Sequence, residues 1–337
     1  MTQPDILQRL HSIYAPHGAP PYKRGGSSYP FHLAHTDANP AHINDVLSLE
    51  PPYRPLNRDS VFIYDADAVA DVQAAGRRVY NGITFTFERL EQDPLRLYAT
   101  LGGYFDHIGA CIPLENELTT GGDTPLRDRL HSVTPPDRLL YSGRGRGVAI
   151  GMGTLTVYKH TDGDYRALII RRSANTAHKP GAFHVVPAFI LQPSGVDYPA
   201  SEWSLTTQIK REYLEELFNV QEQENGGADY EAIPAARQYD AMLADGRAEL
   251  HFTGFSLNLL TTQVSVCSLL LIHDETWHRQ PMGDTWESGG LYSLPIATDE
   301  AVLAAIPGDM AQMTPNGAAS LWCGVDRARR IVHHTDR

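Results

Sequence analysis

Arg211, Glu212, Glu215 and Glu216 stand together in the run REYLEELF, Arg211 to Phe218. Like charges at this spacing repel by roughly 0.2–0.5 kcal/mol per pair on an exposed helix, so cations or arginines are expected to offset them. Mg²⁺ suits such a cluster. It prefers carboxylate oxygens, keeps several waters and completes its shell with substrate phosphate oxygens. The plainer alternative is a solvated acidic face with Arg211 in an i,i+4 pair with Glu215.

The element that must hold these residues is a helix, SLTTQIKREYLEELFNV, with Ser204 as its N-cap. At about 100° per residue the three glutamates share an arc of roughly 100°. Leu205, Ile209, Tyr213, Leu217 and Val220 form the adjoining apolar stripe. Glu216 at its edge is expected to be partly desolvated, with Glu212 and Glu215 further round.

Before the helix, VAIGMGTLTVYKH and YRALIIRRS read as an antiparallel hairpin across TDGD. FHVVPAFILQP reads as one strand, with Pro187 at a bulge or edge. A loop over residues 194–203 leads into the helix and QEQENGGAD breaks the chain after it. Strands at AELHFTGFSLNLL, QVSVCSLLLIHD and GLYSLP follow, then helices near Asp299–Ile306 and Gly317–Arg329. Hairpins mixed with helices, without βαβ units, predict an α+β fold.

REYLEEL resembles the centre of the Nudix box: Gly, five residues, Glu, seven residues, then Arg-Glu-U-x-Glu-Glu-x-Gly-U, with U aliphatic. Arg211, Glu212, Glu215 and Glu216 match, and Tyr213 stands at the first aliphatic position. The hairpin, the strand reaching VVPAF and the later GDTWESGGLYSL and TPNGAASLWCGVDRARR also resemble the family's order, over about residues 147–332. Ala188 and Phe189 replace two glycines, Glu202 lies one residue too far from Arg211 to be the loop glutamate, and Phe218-Asn219 replaces Gly-U. The partner of Arg211 is therefore left open. The resemblance implies a mixed sheet sandwiched by helices in the C-terminal half. It also implies that Glu212, Glu215 and Glu216 bind Mg²⁺ or Mn²⁺, with Glu212 or Glu215 as the base, so that a small-molecule diphosphate is hydrolysed. The alternatives are a degenerate domain that senses a nucleotide-type ligand and a non-hydrolytic diphosphate enzyme such as an isomerase.

Other residues offer less. Arg171 and Arg172 end a strand and could grip phosphate, or face water as strand-end charges. His184 is a substrate-site candidate or a structural histidine. Glu249 and Glu287 could add a metal ligand. Trp277, Trp286 and Phe189 could stack on a base, or fill the core.

Residues 1–146 carry no comparable signature and are expected to form a smaller α+β domain, with 1–59 a loop-rich arm. SVFIYD and ITFTFERL read as strands, ADAVADVQAAGRRVYNG as a helix between them, and GGYFDHIGAC as the end of a strand turning past Asp106 and His107. TPPDRLLYSGRGRG, residues 134–147, reads as a flexible linker. This N-terminal part is expected to cover the pocket, select substrate or form a homodimer.

The net charge of −12 argues against a nucleic-acid surface, which needs clustered Lys and Arg. Three cysteines without a CxxC pair give neither a disulfide framework nor a zinc site. No apolar run approaches the ~18 residues of a membrane span, and no leader pattern opens the chain, so a cytoplasmic protein is expected.

Overall fold

The structure is a computed structural model that describes residues 2–75, 79–173, 179–195, 197–220, 233–282 and 288–335. The helices are α1 (Gln3–Tyr14), α2 (Ala66–Ala74), α3 (Tyr104–Thr120), α4 (Pro125–Val133), α5 (Leu205–Phe218), α6 (Pro234–Ala244), α7 (Asp299–Ala305) and α8 (Pro315–Thr335). The first strands are β1 (Tyr22–Arg24), β2 (Ser27–Tyr29), β3 (Phe31–Ala34), β4 (Ile83–Gln92), β5 (Leu95–Gly103) and β6 (Gly151–Lys159). They are followed by β7 (Tyr165–Arg172), β8 (Phe183–Val185), β9 (Ala188–Ile190), β10 (Ala248–Asn258), β11 (Val264–Ile272) and β12 (Ser288–Pro295).

The main sheet runs β12-β7-β6-β11-β10-β3, with β8 on β7 and β9 on β6. β6 and β11 pair in parallel and their neighbours antiparallel, so the sheet is mixed. Every residue of β11 is buried, which requires cover on both faces. Alternation sorts the side chains. Leu155, Val157, Ala167, Ile169, Cys267, Leu269 and Leu271 pack with α8 residues Ala318, Leu321, Trp322 and Val325. Tyr158, Leu168, Ile170, Leu270 and Ile272 pack with Tyr213, Leu214 and Leu217 of α5 and with Tyr239 and Met242 of α6. The fold is thus α+β, a mixed sheet held between helices. Close approach of α8 depends on glycine: a Cβ at Gly324 would lie 2.7 Å from Leu155.

The expected arm contributes to this sheet. β3 pairs antiparallel with β10, from Phe255↔Ala34 to Asn258↔Phe31. One apolar core also joins Leu10, Phe85, Phe87, Leu97 and Leu114 to Ile150, Trp203, Leu205, Ile209 and Val264.

Several expected elements differ. SVFIYD makes one bridge, Ile63↔Arg146, because Asp65 accepts from Asp67 and Ala68 N–H and starts α2 instead. That helix ends at Ala74, well short of Asn81. GGYFDHIGAC opens α3: Asp106 accepts from Gly103 N–H at 2.8 Å and so caps the helix from its third residue. FHVVPAFILQP splits at Pro187 into β8 and β9, which pair with different strands. The stretch expected as a linker is packed, since Arg146 is fully buried and donates to the Leu139 and Ser142 carbonyls. The α6 helix, PAARQYDAMLA, carries no expectation from sequence. The polar break at residues 221–229 lies outside the described residues.

Candidate functional site

α5 starts where Ser204 accepts the Thr207 N–H. It ends at Asn219, whose φ of 53° is the left-handed conformation that asparagine tolerates better than most residues. The chain therefore turns one residue later than a Gly at position 218 would place it. Phe218 packs instead on the Tyr213 ring, with centroids 5.2 Å apart. Tyr213 is braced in turn by Trp277, whose indole N–H donates to its hydroxyl at 2.8 Å. Trp277 is fully buried, which makes it a core residue.

Exposure of the glutamates follows the helical wheel. Glu216 is 5% and Glu212 8% exposed, while the Glu215 side chain retains 25%. Glu216 Oε1 accepts the Ala188 N–H at 2.8 Å, tying the helix to β9 where the family pattern has glycine. Arg211 Nη2 donates to Glu212 Oε1 at 3.1 Å and lies within an ion pair's reach of Glu215 at 4.0 Å through Nε.

The partner of Arg211 is settled by a residue that sequence reading passed over. Gln208, 1% exposed, accepts from Arg211 Nη2 at 2.9 Å and donates from Nε2 to the Gln192 and Glu202 carbonyls, each at 3.0 Å. Glu202 is occupied elsewhere, accepting from Ser194 N–H and Oγ at 2.6 Å. The lengthened loop is thus closed by its own glutamate and fastened to α5 by Gln208. Further anchors lie in the first sixty residues. Trp203 Nε1 donates to Ser48, and Tyr198 donates to the Pro52 carbonyl. Asn44 accepts from the Thr206 N–H at 3.2 Å and donates to Ser204 Oγ at 3.0 Å. A buried Gln three residues before an arginine was the available signal for Gln208; nothing local pointed to Asn44.

The other candidates sit apart from this cluster. Arg171 donates to the Gly181 carbonyl at 3.3 Å, and Arg172 lies close enough to His184 to lower its pKa. His184 is 7% exposed beside the start of α8, where a Cβ at Gly317 would come 3.1 Å from its Cα. Burial, reinforced by Arg172, brings its pKa down to about 3, so the imidazole is neutral. Phe189 is half-buried against the large apolar core. Glu249 is not brought to α5. It pairs across from Leu271, on the α8 face, and binds His251 at 2.8 Å and His273 at 2.9 Å. Glu287 and Trp286 lie outside the described residues.

The sequence matches no protein-family model and no curated protein. Among solved structures the chain is similar to a Deinococcus radiodurans protein at 15% identity, covering 52% of this chain and 83% of that one, with a TM-score of 0.31. It is similar to a Nudix hydrolase of M. smegmatis at 13% identity over 55% and 87%, TM-score 0.24. It is also similar to a C. elegans Ap4A hydrolase at 11% over 52% and 98%, TM-score 0.25. At such scores the functional reading rests on the side chains.

Those side chains allow one kind of metal site and disfavour another. Among the described residues no three His, Cys, Asp or Glu side chains are grouped to hold a metal ion. A cage built wholly from protein ligands is therefore not what α5 offers. Carboxylates on successive turns do suit a hard cation that takes one or two of them and leaves its other positions to water and phosphate oxygens. No described helix is long and apolar enough to cross a membrane.

Proposed function

We propose that the protein hydrolyses the diphosphate linkage of a small molecule with the help of Mg²⁺ or Mn²⁺ held on the Glu212, Glu215 and Glu216 cluster, one or two carboxylates to an ion. The observation that supports this reading is the placement of the Arg-Glu-x-x-Glu-Glu set on α5, with Glu216 fixed to β9 and Arg211 fixed by Gln208. Bound there, the metal would neutralise phosphate charge and lower the pKa of a coordinated water. Glu215, the most exposed of the three, is the residue best placed to accept the water's proton. Arg211 holds Glu212 in place, and the partly buried Ala188 N–H orients Glu216.

A second reading, a domain that binds a nucleotide-type diphosphate without cleaving it, is favoured by the Arg211–Glu212 ion pair. That pair already offsets one of the charges a metal would neutralise. Release of phosphate or a phosphomonoester from nucleoside, sugar and prenyl diphosphates, with Mg²⁺ or Mn²⁺, tests between them. Turnover lost in Glu215→Gln supports hydrolysis. Tight, metal-independent binding without turnover of any of these compounds would establish the second reading instead.

A further inference from the structure

On the α8 face of the sheet, across from α5, a cavity of about 900 Å³ lies between the first strands and α8. Its size is that of a small-molecule site, which typically runs to ~300–1,000 Å³. Pro20, Pro21 and Tyr22 line it from the N-terminal arm, and Lys23, Arg329 and Arg330 bring the cationic groups.

The charge balance gives the cavity its chemistry. Asp326, on its wall, accepts from Arg24 Nη1 and Nη2, each at 2.7 Å. The same guanidinium donates to both oxygens of Asp299, again at 2.7 Å, and stacks on Trp322 at 4.3 Å. Arg24 and Arg329, whose Nη1 also donates to Asp299, together offset the two carboxylates. Arg329 still has Nη2 buried with no hydrogen-bond partner. That nitrogen is closed off from the cavity, and Nε donates to the Ile296 carbonyl, so Arg330 and Lys23 are the cations with donors open to a ligand. Arg330 is half exposed, donates from Nε to the Asp326 carbonyl at 3.3 Å and meets the open Asp37 at 3.6 Å, while Lys23 is exposed. In a chain of net charge −12 this is a local surplus of positive charge facing an apolar wall.

We infer that this cavity binds a small phosphorylated organic molecule, with its phosphoryl group on Arg330 and Lys23 and its organic part on Pro20, Pro21 and Tyr22. Guanidinium donors recognise phosphate oxygens by charge-assisted bonds, and the ammonium adds a point charge. The site is separate from α5, since its residues come from α1, β1 and the loop before it, β3 and the loop after it, β10 and α8.

The test uses AMP as probe and full-length protein in EDTA, which leaves α5 without metal. Calorimetry is expected to show binding that weakens about tenfold or more in Lys23→Glu/Arg330→Glu and is unchanged in Glu215→Gln. Hydrogen exchange should slow at residues 20–37 and 323–330 on adding AMP. Protection confined to residues 205–218, or equal affinity in the double variant, would overturn the assignment. So would inorganic phosphate binding as tightly as AMP, or no binding by either AMP or glycerol phosphate.

Discussion

The Glu216 carboxylate accepts the Ala188 backbone N–H at 2.8 Å, so one member of the acidic cluster also joins α5 to the strand beside it. Glu216→Ala removes the acceptor and leaves a partly buried N–H unsatisfied, which costs about 1–3 kcal/mol. Glu216→Gln keeps an acceptor oxygen and loses only the charge. Urea unfolding should therefore separate the two, with Gln within ~1 kcal/mol of the wild type, while Mn²⁺ affinity falls in both. Equal stability of Ala and wild type would show that the hydrogen bond contributes nothing.

Gln208 carries the second dependence. Its amide bonds two loop carbonyls, the Gln192 N–H and the Arg211 guanidinium, so Gln208→Ala removes four bonds at once, three of them to the loop, and leaves the Glu202 carbonyl without this donor. A loss of about 2 kcal/mol is expected, with faster hydrogen exchange at residues 190–203. Diphosphate hydrolysis should fall more than in Arg171→Ala, because Arg171 donates only to its own loop, at Gly181.

How much of this was legible in sequence varies with the distance over which each interaction acts. α5 was readable because its apolar period, its Ser cap and its carboxylate spacing all lie within sixteen residues, Ser204 to Asn219. β6, β7, β10 and β11 were readable from strand alternation and hydrophobic runs. β3 was not, since four residues beside a Gly-Pro-rich arm become a strand only by pairing with β10, more than two hundred positions away. The start of α3 was hidden because Gly103 has no side chain to cap with, and the capping carboxylate comes from Asp106. SVFIYD has the β-branched and aromatic run of a strand, yet its outcome was decided by Asp65, which caps α2. At the site, the glutamates followed from spacing, whereas the partner of Arg211 required knowing which loop carbonyls Gln208 reaches.

Acid stability should report His184. Its pKa is about 3 in the folded chain because burial, helped by Arg172, disfavours the charged ring, against 6.5 when exposed. Below 6.5 the unfolded chain binds a proton there that the folded chain does not. Stability is therefore full above that value and falls by about 1.4 kcal/mol per pH unit towards 3. His131, held at about 4 by burial and Arg127, adds the same sign over a narrower window. Denaturation curves between pH 7 and 4 should be flatter for His184→Leu than for the wild type. This range avoids Asp299, whose pKa of about 2 beside Arg24 contributes stability above 3.8 that is lost only as pH falls towards 2.

Asn44 lies some 160 residues before α5 yet satisfies the Thr206 N–H, one of the orphan donors at the helix start. Asn44→Ala should cost about 1 kcal/mol, the usual value of a cap. Exchange at residues 205–209 should quicken, with little change at α8. A uniform change across the protein would assign Asn44 to general stability and not to the helix start.

Metal dependence follows from the exposure of Glu215. Its side chain is 25% accessible, with Oε1 enclosed 4.0 Å from Arg211 Nε, and Gln keeps that shape while removing the charge. Glu215→Gln is therefore expected to unfold within ~0.5 kcal/mol of the wild type while lowering diphosphate turnover by a factor on the order of 10²–10⁴, the range of a general base. EDTA should remove turnover from the wild type, and added Mg²⁺ or Mn²⁺ should restore it. If Glu215→Gln kept full metal-dependent turnover, Glu212 would be the base. Its ion pair with Arg211 would then have to open in the substrate complex, which the pH profile of Arg211→Lys would report.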